Sequence, residues 1–368
     1  LGVPLKQAML DLKSIALGGG TVARVSEGKL QLGPESMGAF PGPACYDLGG
    51  TEVTLTDACL VSGYLDAEYF AGGQKKISCE QAEKVLSEKV ADPLGLDLEN
   101  AANEIISMAA DMIAVVINEL INKTGKPASD FVLFTFGGNG AVLGCEIAQI
   151  AGIQKSYVFS LGAVLSAFGS SVADITHTYE YSPLVPVSEH ETLAGMAQEM
   201  VQEAQRDMEG EGFDLANMEA GLDFTLYDQG DPKNFIQFSS PTWKEADLAG
   251  KNMNVLIQES FSDVGKDVAS EDLVVEVMKL RARLPVAKVQ PGEAQPGDGN
   301  SSAALKGERM IRRGGEGVSS SIYDWNKLAA GSAVTGPAVL EGSDTTYVVP
   351  QGWRFVMDTY GNGELERE

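Results

Sequence analysis

The chain has 368 residues, of which 44% are hydrophobic and 21% charged, as in an ordinary globular protein large enough for two or three domains. Its 52 Asp and Glu outnumber its 27 Lys and Arg, and the formal charge of −25 argues against nucleic acid or an anionic membrane surface as a partner. We see no apolar run that could span a membrane, no export signal and no paired cysteine spacing, and therefore expect a cytoplasmic location with reduced thiols. Only two histidines occur, so no His-rich metal site is expected.

The first predicted element is a hairpin over residues 21–32, which follows the glycine turn LGGGT at residues 17–21. Because glycine has no Cβ, its backbone N–H groups can close on a bound phosphate. In that interpretation the amides of Gly19, Gly20 and Thr21 and the Thr21 hydroxyl face the β- and γ-phosphates. A simple tight turn is the alternative.

Loops and helices are predicted next. Residues 33–56 are rich in proline and glycine and predict loops, and Ser78 predicts the start of a helix. The clearest helical pattern is the apolar spacing over residues 105–120, which ends at Gly125. We expect this apolar stripe to lie in the core.

A second glycine turn follows a strand. Residues 131–136 form a continuous apolar run, typical of a strand buried on both faces, and FGGNG at residues 136–140 leads into a helical pattern over residues 141–150. Such a turn either lies beneath the adenine or ribose of a nucleotide or is an ordinary strand-to-helix connection. Further predicted strands at 157–159 and 176–181 complete an α/β lobe.

The pattern changes near residue 187. We predict helices over residues 191–209 and 249–263, a loop over 290–304, and strands over 219–228, 233–238, 273–284, 338–341 and 346–349. The predicted domains are therefore residues 1–186, a nucleotide-binding lobe, and residues 187–368, a mostly β C-terminal domain.

Several ordered motifs across almost the whole chain resemble those of the hydantoinase A family. They are GPES at residues 33–36, PGPACY at 41–46, GGT at 49–51, TLTDA at 54–58, FGGNG at 136–140, LSAFG at 165–169, the Asp174 and His177 motif, and GPA through PQGW at 336–353. Within the family, YDLGGT at residues 46–51 and YFAGG at 69–73 are closer to subunits of acetone and acetophenone carboxylases than to hydantoinases.

The resemblance implies an actin/Hsp70-like (ribonuclease H-like) α/β ATPase lobe followed by a mostly β domain. It further implies ATP with Mg²⁺ (or Mn²⁺) as cofactors, a hydantoinase B-type partner subunit, and activation of a carbonyl or amide oxygen by phosphorylation. The metal ligands stay unknown. The residues expected at the nucleotide are Gly18, Gly19, Gly20 and Thr21 in the first turn, and Gly137, Gly138, Asn139 and Gly140 in the second.

The chain also departs from the family pattern. Hsp70-like proteins have an Asp two residues before the glycine triplet, where this chain has Ala16. The family's N-terminal Asp-x-Gly-Gly-Thr-x-x-Asp loop is missing, and we interpret DLGGT at residues 47–51 as a coincidental likeness. Because that N-terminal loop is missing, we expect this chain to be the C-terminal portion of a hydantoinase A-type subunit. Another polypeptide, or a part not included here, would then supply the rest of the ATP site.

Two residues are predicted to be catalytic. Asp57 follows a Thr at the start of a predicted helix, where it would bind Mg²⁺ or a substrate-facing water; a first-turn helix cap is the alternative. His177 belongs with Asp174 to a family-like motif near a strand edge, where the alternative is a hydrogen-bonded structural pair. Glu35 and Ser36 are weaker candidates for lining the cleft.

One basic doublet, Arg312 and Arg313, is unusual in so acidic a chain. A solvated turn or a subunit interface is expected there.

Three functions remain open from the sequence. The first is a subunit of an ATP-dependent ketone carboxylase that acts on a small ketone and bicarbonate. The second is a subunit of an ATP-dependent hydantoinase or 5-oxoprolinase. The third is an actin-like scaffold without catalysis, which Ala16 favours and the bare glycine turns oppose.

Overall fold

The computed structural model describes residues 12–262, 273–289, 292–313 and 316–368. The chain divides into two compact units, the first formed by Leu1–Phe168 with Pro291–Glu368 and the second by Gly169–Gln290. This division differs from the boundary predicted at residue 186, since residues 291–368 return to the first unit. The reason is strand pairing, because Gly363 to Glu366 pair with Val158 to Lys155.

The α-helices begin and end as follows: α1 Leu55–Val61, α2 Cys79–Leu86, α3 Asp92–Leu94, α4 Leu98–Thr124, α5 Gly140–Ala151, α6 Leu165–Val172, α7 His190–Gly210, α8 Glu245–Gly250 and α9 Met253–Ser262. Within the part of the chain that the structure describes, every helix is too short or too polar to cross a lipid bilayer.

The strands of the first unit are β1 Thr21–Ser26, β2 Lys29–Ser36, β3 Val53–Thr54, β4 Val132–Thr135, β5 Lys155–Val158, β12 Leu305–Arg313, β13 Glu316–Asp324, β14 Ala333–Thr335, β15 Ala338–Glu341, β16 Thr346–Val349, β17 Trp353–Met357 and β18 Gly363–Arg367. The second unit contains β6 Ile175–Tyr181, β7 Val185–Pro186, β8 Glu219–Asp228, β9 Asp231–Ser239, β10 Trp243–Lys244 and β11 Leu273–Leu284.

The described residues of the first unit form three sheets with strand orders β2-β1-β3, β12-β13-β15-β16 and β14-β17-β18-β5-β4. The predicted hairpin is confirmed as β1 and β2, whose turn at Glu27 and Gly28 has positive φ at both residues, as a type I′ turn requires. The β4–α5–β5 segment is a parallel crossover, so the second glycine turn follows the carboxyl end of β4.

The longest helix, α4, confirms the helical prediction. Asp97 caps its first turn by accepting from the Asn100 N–H, and Gly125 ends it in the left-handed conformation. Ile105 and Ala109 are fully buried, but Met112 and Val115 are 37% and 58% exposed. The expectation that the whole stripe lies in the core is therefore wrong for Met112 and Val115.

The prediction that residues 131–136 are buried on both faces is also wrong. In the described part of the chain β4 is the outer strand of its sheet, and only one of its faces packs beneath α5. Val132 and Phe134 point to the other face and are 48% and 59% exposed. The Phe134 ring contacts Tyr157 and Phe159 there, with centroids 5.6 and 5.3 Å away.

The second unit is one sheet with helices packed on it. Its main strand order is β10-β8-β11-β6, with β9 on β8 and β7 on β11. The helix α7 buries Leu193, Met200 and Met208 against the sheet and α9. Because β6 pairs antiparallel with β11, it belongs to this unit and does not complete the βαβ lobe predicted for it.

The remaining predictions place elements close to where the structure has them. The strands at residues 219–228, 273–284, 338–341 and 346–349 are found with the predicted bounds. The predicted helix over 249–263 is found as α9, and its residue 263 lies outside the described residues. Of the predicted loop, residues 292–301 contain no helix or strand and residues 290–291 lie outside the described residues.

Candidate functional site

The first glycine turn is held from two sides. Within the turn, the Gly18 N–H donates to the Thr21 hydroxyl at 2.7 Å and the Thr21 N–H donates to the Gly18 carbonyl at 3.0 Å. From outside, the backbone N–H and the hydroxyl of Thr56 both donate to the Gly19 carbonyl, each at 3.0 Å. The start of α1 thereby fixes the orientation of the Gly19 peptide.

The second turn lies at the start of α5, which begins at Gly140. The Gly137 N–H donates to the Gly162 carbonyl at 2.7 Å, and the Thr345 hydroxyl donates to the Gly138 carbonyl at 3.3 Å. Gly137 has a φ of +85°, which a side chain would strain. The backbone at this helix N-terminus carries the positive end of the helix dipole, a setting that favours an anion.

The two turns meet in space. A Cβ on Gly19 would overlap the side-chain amide of Asn139 and would come within 2.7 Å of the Thr56 hydroxyl. Gly138 and Gly140 have no atom within 4 Å of the position that a Cβ would take. The close approach of the chain explains Gly19, whereas packing within the described residues does not explain the bare backbone at Gly138 and Gly140.

The hydrogen bonds of the first turn show which of its predicted phosphate-binding groups are already used within the protein. Both the N–H and the hydroxyl of Thr21 are used inside the turn itself. Among the residues that the structure describes, the N–H groups of Gly19 and Gly20 have no partner. The predicted ligand set therefore divides into a closing residue, Thr21, and two available amides.

Asp57 is placed where the sequence predicted, in the first turn of α1, but it is fully buried. Its carboxylate accepts from the backbone N–H groups of Ala44 and Cys45 at 3.2 and 2.7 Å. It also accepts from the Thr54 N–H and hydroxyl at 2.8 and 2.7 Å, which forms a capping box. Four donors therefore occupy the two buried oxygens of Asp57, as expected for the helix-cap alternative. Neither oxygen is left open to a substrate.

The described residues contain no group of three or more His, Cys, Asp or Glu side chains that is arranged to hold a metal ion. Asp57, the carboxylate predicted for Mg²⁺, has both oxygens occupied by protein donors. These residues do not fit a metal site beside the glycine turns.

The DLGGT segment at residues 47–51 has a packing explanation. A Cβ on Gly50 would overlap the Gly42 carbonyl and come within 3.0 Å of the Pro43 carbonyl oxygen. Glycine is needed there because two stretches of backbone touch, which agrees with a coincidental likeness to a phosphate loop.

The Asp174 and His177 motif lies in the second unit, whereas both glycine turns lie in the first. Lys288 and Arg283 contact the Asp174 carboxylate at 2.5 and 2.8 Å, and its pKa falls to about 2 through the hydrogen bonds from Lys288 and the Val286 N–H. Asp174 is thus part of an ion-pair cluster.

His177 has partners on both ring nitrogens. Nε2 lies 3.1 Å from the Glu211 carboxylate and Nδ1 lies 3.3 Å from the Tyr179 hydroxyl. Tyr179 in turn donates to Asp207 at 2.9 Å, and burial together with this bond raises the pKa of Tyr179 to about 12. The result is a connected chain of four polar side chains between β6 and α7.

Two supporting residues were not recognised as such from the sequence. Thr56 fixes the Gly19 carbonyl, and its position beside Asp57 in the TLTDA motif was the available signal. Ser36, predicted only as a cleft residue, would be 2.8 Å from a Cβ on Gly20 and accepts from the Gly38 N–H at 3.2 Å. Glu35, its neighbour, pairs with Arg24 at 3.2 Å.

Comparison with known families matches nearly the whole chain. Residues 1–179 match the model described as Hydantoinase/oxoprolinase, and residues 188–365 match the model described as Hydantoinase/oxoprolinase C-terminal domain. The chain is 32% identical over 377 residues to the acetophenone carboxylase gamma subunit of Aromatoleum aromaticum, covering 97% of this chain and 51% of that protein. It is 27% identical to the caprolactamase subunit alpha of Pseudomonas jessenii, covering 99% and 53%.

A solved structure with a similar fold is a nucleotide-free acetone carboxylase, described with the mechanism of ATP-dependent acetone carboxylation. The TM-score is 0.80 at 25% identity, over 95% of this chain and 52% of that one. This likeness confirms the predicted fold, an actin/Hsp70-like lobe followed by a mostly β C-terminal region. The chain spans about half the length of the relatives it matches.

Proposed function

Because the chain belongs to the hydantoinase/oxoprolinase family, we propose that it is a subunit of an ATP-dependent ketone carboxylase of the acetone/acetophenone type. It would bind the ATP that phosphorylates bicarbonate, the substrate enolate, or both. The observation that carries the proposal is the meeting of two bare glycine turns, Gly19 against Asn139, at the N-terminus of α5. The preference for a carboxylase rests on the 32% identity to the acetophenone carboxylase subunit, against 27% to the caprolactamase subunit.

ATP, when bound, supplies the phosphoryl group that activates a carbonyl or carboxylate oxygen. The contribution of this chain is positioning. The N–H groups of Gly19 and Gly20 bind phosphate oxygens, while Gly138 and Gly140 allow the base or ribose to approach the backbone at the start of α5. Thr21 closes the first turn, and Gly18, Gly137 and Asn139 shape the two turns around the ligand.

The metal and the partners are separate parts of the proposal. Since the described residues do not fit a metal site, Mg²⁺ or Mn²⁺ would take its protein ligands from outside them. A polypeptide with the other half of the ATP site is proposed because the chain spans about half of its relatives, and a hydantoinase B-type subunit because the family resemblance implies one.

His177 is proposed to transfer protons in the reaction. Because the Glu211 carboxylate lies at one ring nitrogen and the Tyr179 hydroxyl at the other, the proton would pass along this chain of polar side chains. Asp57 is assigned to folding of the loop over residues 43–57, because its oxygens are occupied and buried.

Substrate-dependent ATP hydrolysis by the native complex tests the reaction. We expect hydrolysis that requires both bicarbonate and a methyl ketone. Hydrolysis with cyclic amides and without bicarbonate would instead identify a hydantoinase or oxoprolinase. No stimulation by either substrate class would favour the scaffold.

A variant of Gly138 tests the nucleotide site independently of the substrate. A Cβ on residue 138 meets no atom within 4 Å, so Gly138→Val is expected to preserve the fold while it blocks the approach of a nucleotide. Gly169→Val is the matched control, because a Cβ there also meets no atom within 4 Å and Gly169 belongs to neither turn. We expect at least about a tenfold loss of ATP affinity for Gly138→Val alone; unchanged affinity would show that ATP does not bind at this turn.

A further inference from the structure

The first unit contains a cavity of about 410 Å³ that the proposed function does not use. This volume falls in the range of small-molecule sites, roughly 300–1,000 Å³. Its walls come from the C-terminal end of α5, the last residues of β12 with the first residues of β13, and the strands β15 and β16. The lining residues are Tyr64, Gln149, Ile311, Arg313, Val318, Ser320, Pro337, Ala338, Val348, Val349, Pro350 and Gln351.

The cavity is distinct from the glycine turns. Gln149 lies near the C-terminal end of α5, and the second turn lies at its N-terminus, Gly140. At 1.5 Å per residue, the nine helical steps from Gly140 to Gln149 span ~14 Å. A ligand in the cavity therefore does not share the proposed nucleotide site.

The polar side of the cavity is formed around Arg313. Its guanidinium lies 3.6 Å from the Glu146 carboxylate, which is longer than a hydrogen bond, although Glu146 is only 14% exposed. Burial raises the pKa of Glu146, and it also raises the pKa of the buried Tyr64 phenol, on which both Glu146 and Arg313 act. The Gln149 and Gln351 amides add hydrogen-bonding capacity at the same cavity.

Several aliphatic side chains also line the cavity. Ile311, Val348 and Val349 are buried, and Val318 is a partly exposed residue of the same wall. An arginine together with aliphatic side chains around one partly open cavity matches a ligand with one charged end and one hydrocarbon end.

We propose that this cavity binds a small organic monocarboxylate, with its carboxylate on Arg313 and its hydrocarbon part against Val348 and Val349. Guanidinium pairs with carboxylate through two parallel hydrogen bonds, which a neutral ligand does not offer. A single anionic charge fits better than a phosphate, because Glu146 already balances part of the Arg313 charge.

Calorimetric titration of the intact protein with benzoate tests the proposal, with benzamide and inorganic phosphate as comparison probes. Benzoate is expected to bind at one site per chain and more tightly than either comparison probe. Arg313→Gln should weaken benzoate binding by about tenfold or more. Arg312→Gln is the matched control, since Arg312 pairs with Glu99 at 2.6 Å and does not line the cavity.

Two further variants sharpen the test. Glu146→Gln removes the competing carboxylate and should strengthen benzoate binding, while Val318→Trp should block the cavity from a position that is already 39% exposed. Absence of benzoate binding, equal binding of benzamide, tighter binding of phosphate, or full binding by Arg313→Gln or Val318→Trp would each overturn the proposal. None of these readouts depends on ATP, so a failure here is distinguishable from a failure of the proposed function.

Discussion

The side-chain amide of Asn139 occupies the space beside Gly19 that a Cβ on residue 19 would need. The relationship joins two turns from distant parts of the sequence into one surface of bare backbone. On the other side, Thr56 donates two hydrogen bonds to the Gly19 carbonyl, so Gly19 is fixed from two directions. Substitutions at this point report directly on whether the two turns act together.

Gly19→Ala should destabilise the protein by about 1–3 kcal/mol, because the added methyl group forces Asn139 and Thr56 apart. Adding Asn139→Ala should recover part of that loss, which a double-mutant cycle in urea would measure as a coupling energy. Gly18→Ala is the control, since a Cβ there meets nothing within 4 Å. Equal effects of Gly18→Ala and Gly19→Ala would contradict the close approach.

Asp57→Ala should cost about 3 kcal/mol or more, because it leaves the buried N–H groups of Ala44, Cys45 and Thr54 without their acceptor. The midpoint and slope of chemical denaturation measure this loss. Asp47→Asn, in the same loop but exposed and in a left-handed conformation that Asn tolerates, should change stability little. If the Asp57→Ala protein were as stable as wild type but inactive, the structural assignment would be wrong and Asp57 would be a catalytic residue.

Asp174 should make the stability of the folded protein depend on pH in the acidic range. Its pKa in the folded protein is lowered to about 2, chiefly by the hydrogen bond from Lys288. A lowered folded-state pKa contributes stability above the unfolded-state pKa near 4, and that contribution is lost as pH falls toward 2. The difference in melting temperature between wild type and Asp174→Asn should therefore be present at pH 7 and shrink between pH 4 and pH 2.

The matched control for this pH experiment is Asp214→Asn, which removes an exposed carboxylate from the same unit. Its difference from wild type should stay nearly constant over the same pH range. A constant difference for Asp174→Asn as well would show that the contacts with Lys288 and Arg283 do not stabilise the folded state.

The two histidines allow a direct test of the proton-transfer proposal. His177→Gln should lower turnover by about 100-fold or more if the ring transfers protons, with little loss of stability because Glu211 is half exposed. His190→Gln, which changes a ring stacked on Phe261, should leave turnover near wild type. Turnover of the His177 variant at the wild-type level would assign the residue to structure alone.

Local patterns predicted the hairpin and α4 well, because turn glycines, caps and helical spacing act within a few residues. The pairing of β18 with β5 was not predictable in the same way, since neither strand carries a signal that names its partner. The boundary at residue 186 was predicted from the change in residue pattern along the chain, whereas the spatial units are set by the pairing of β18 with β5.

The candidate site was predictable in part for the same reason. Both glycine turns were recognised from their residues, but their contact at Asn139 depends on the folded path between them. The role of Asp57 was decided by two donors from residues 44 and 45, which no spacing in the sequence indicated. The apolar run over residues 131–136 indicated a strand, but it did not show which strands would pair with it. The exposure of Phe134 on an outer strand was therefore not predicted.

The pairing of β5 with β18 also sets an order of events during synthesis. Lys155 and Glu364, which form an ion pair across these strands, are 209 positions apart. At about 5–20 residues per second, β5 leaves the ribosome roughly ten seconds or more before its neighbour. The unit Gly169–Gln290 is continuous in sequence and is complete before β18 exists. The middle of the nascent chain is therefore expected to finish folding first, while the earlier-made β4 and β5 wait with an open edge that chaperones would need to protect.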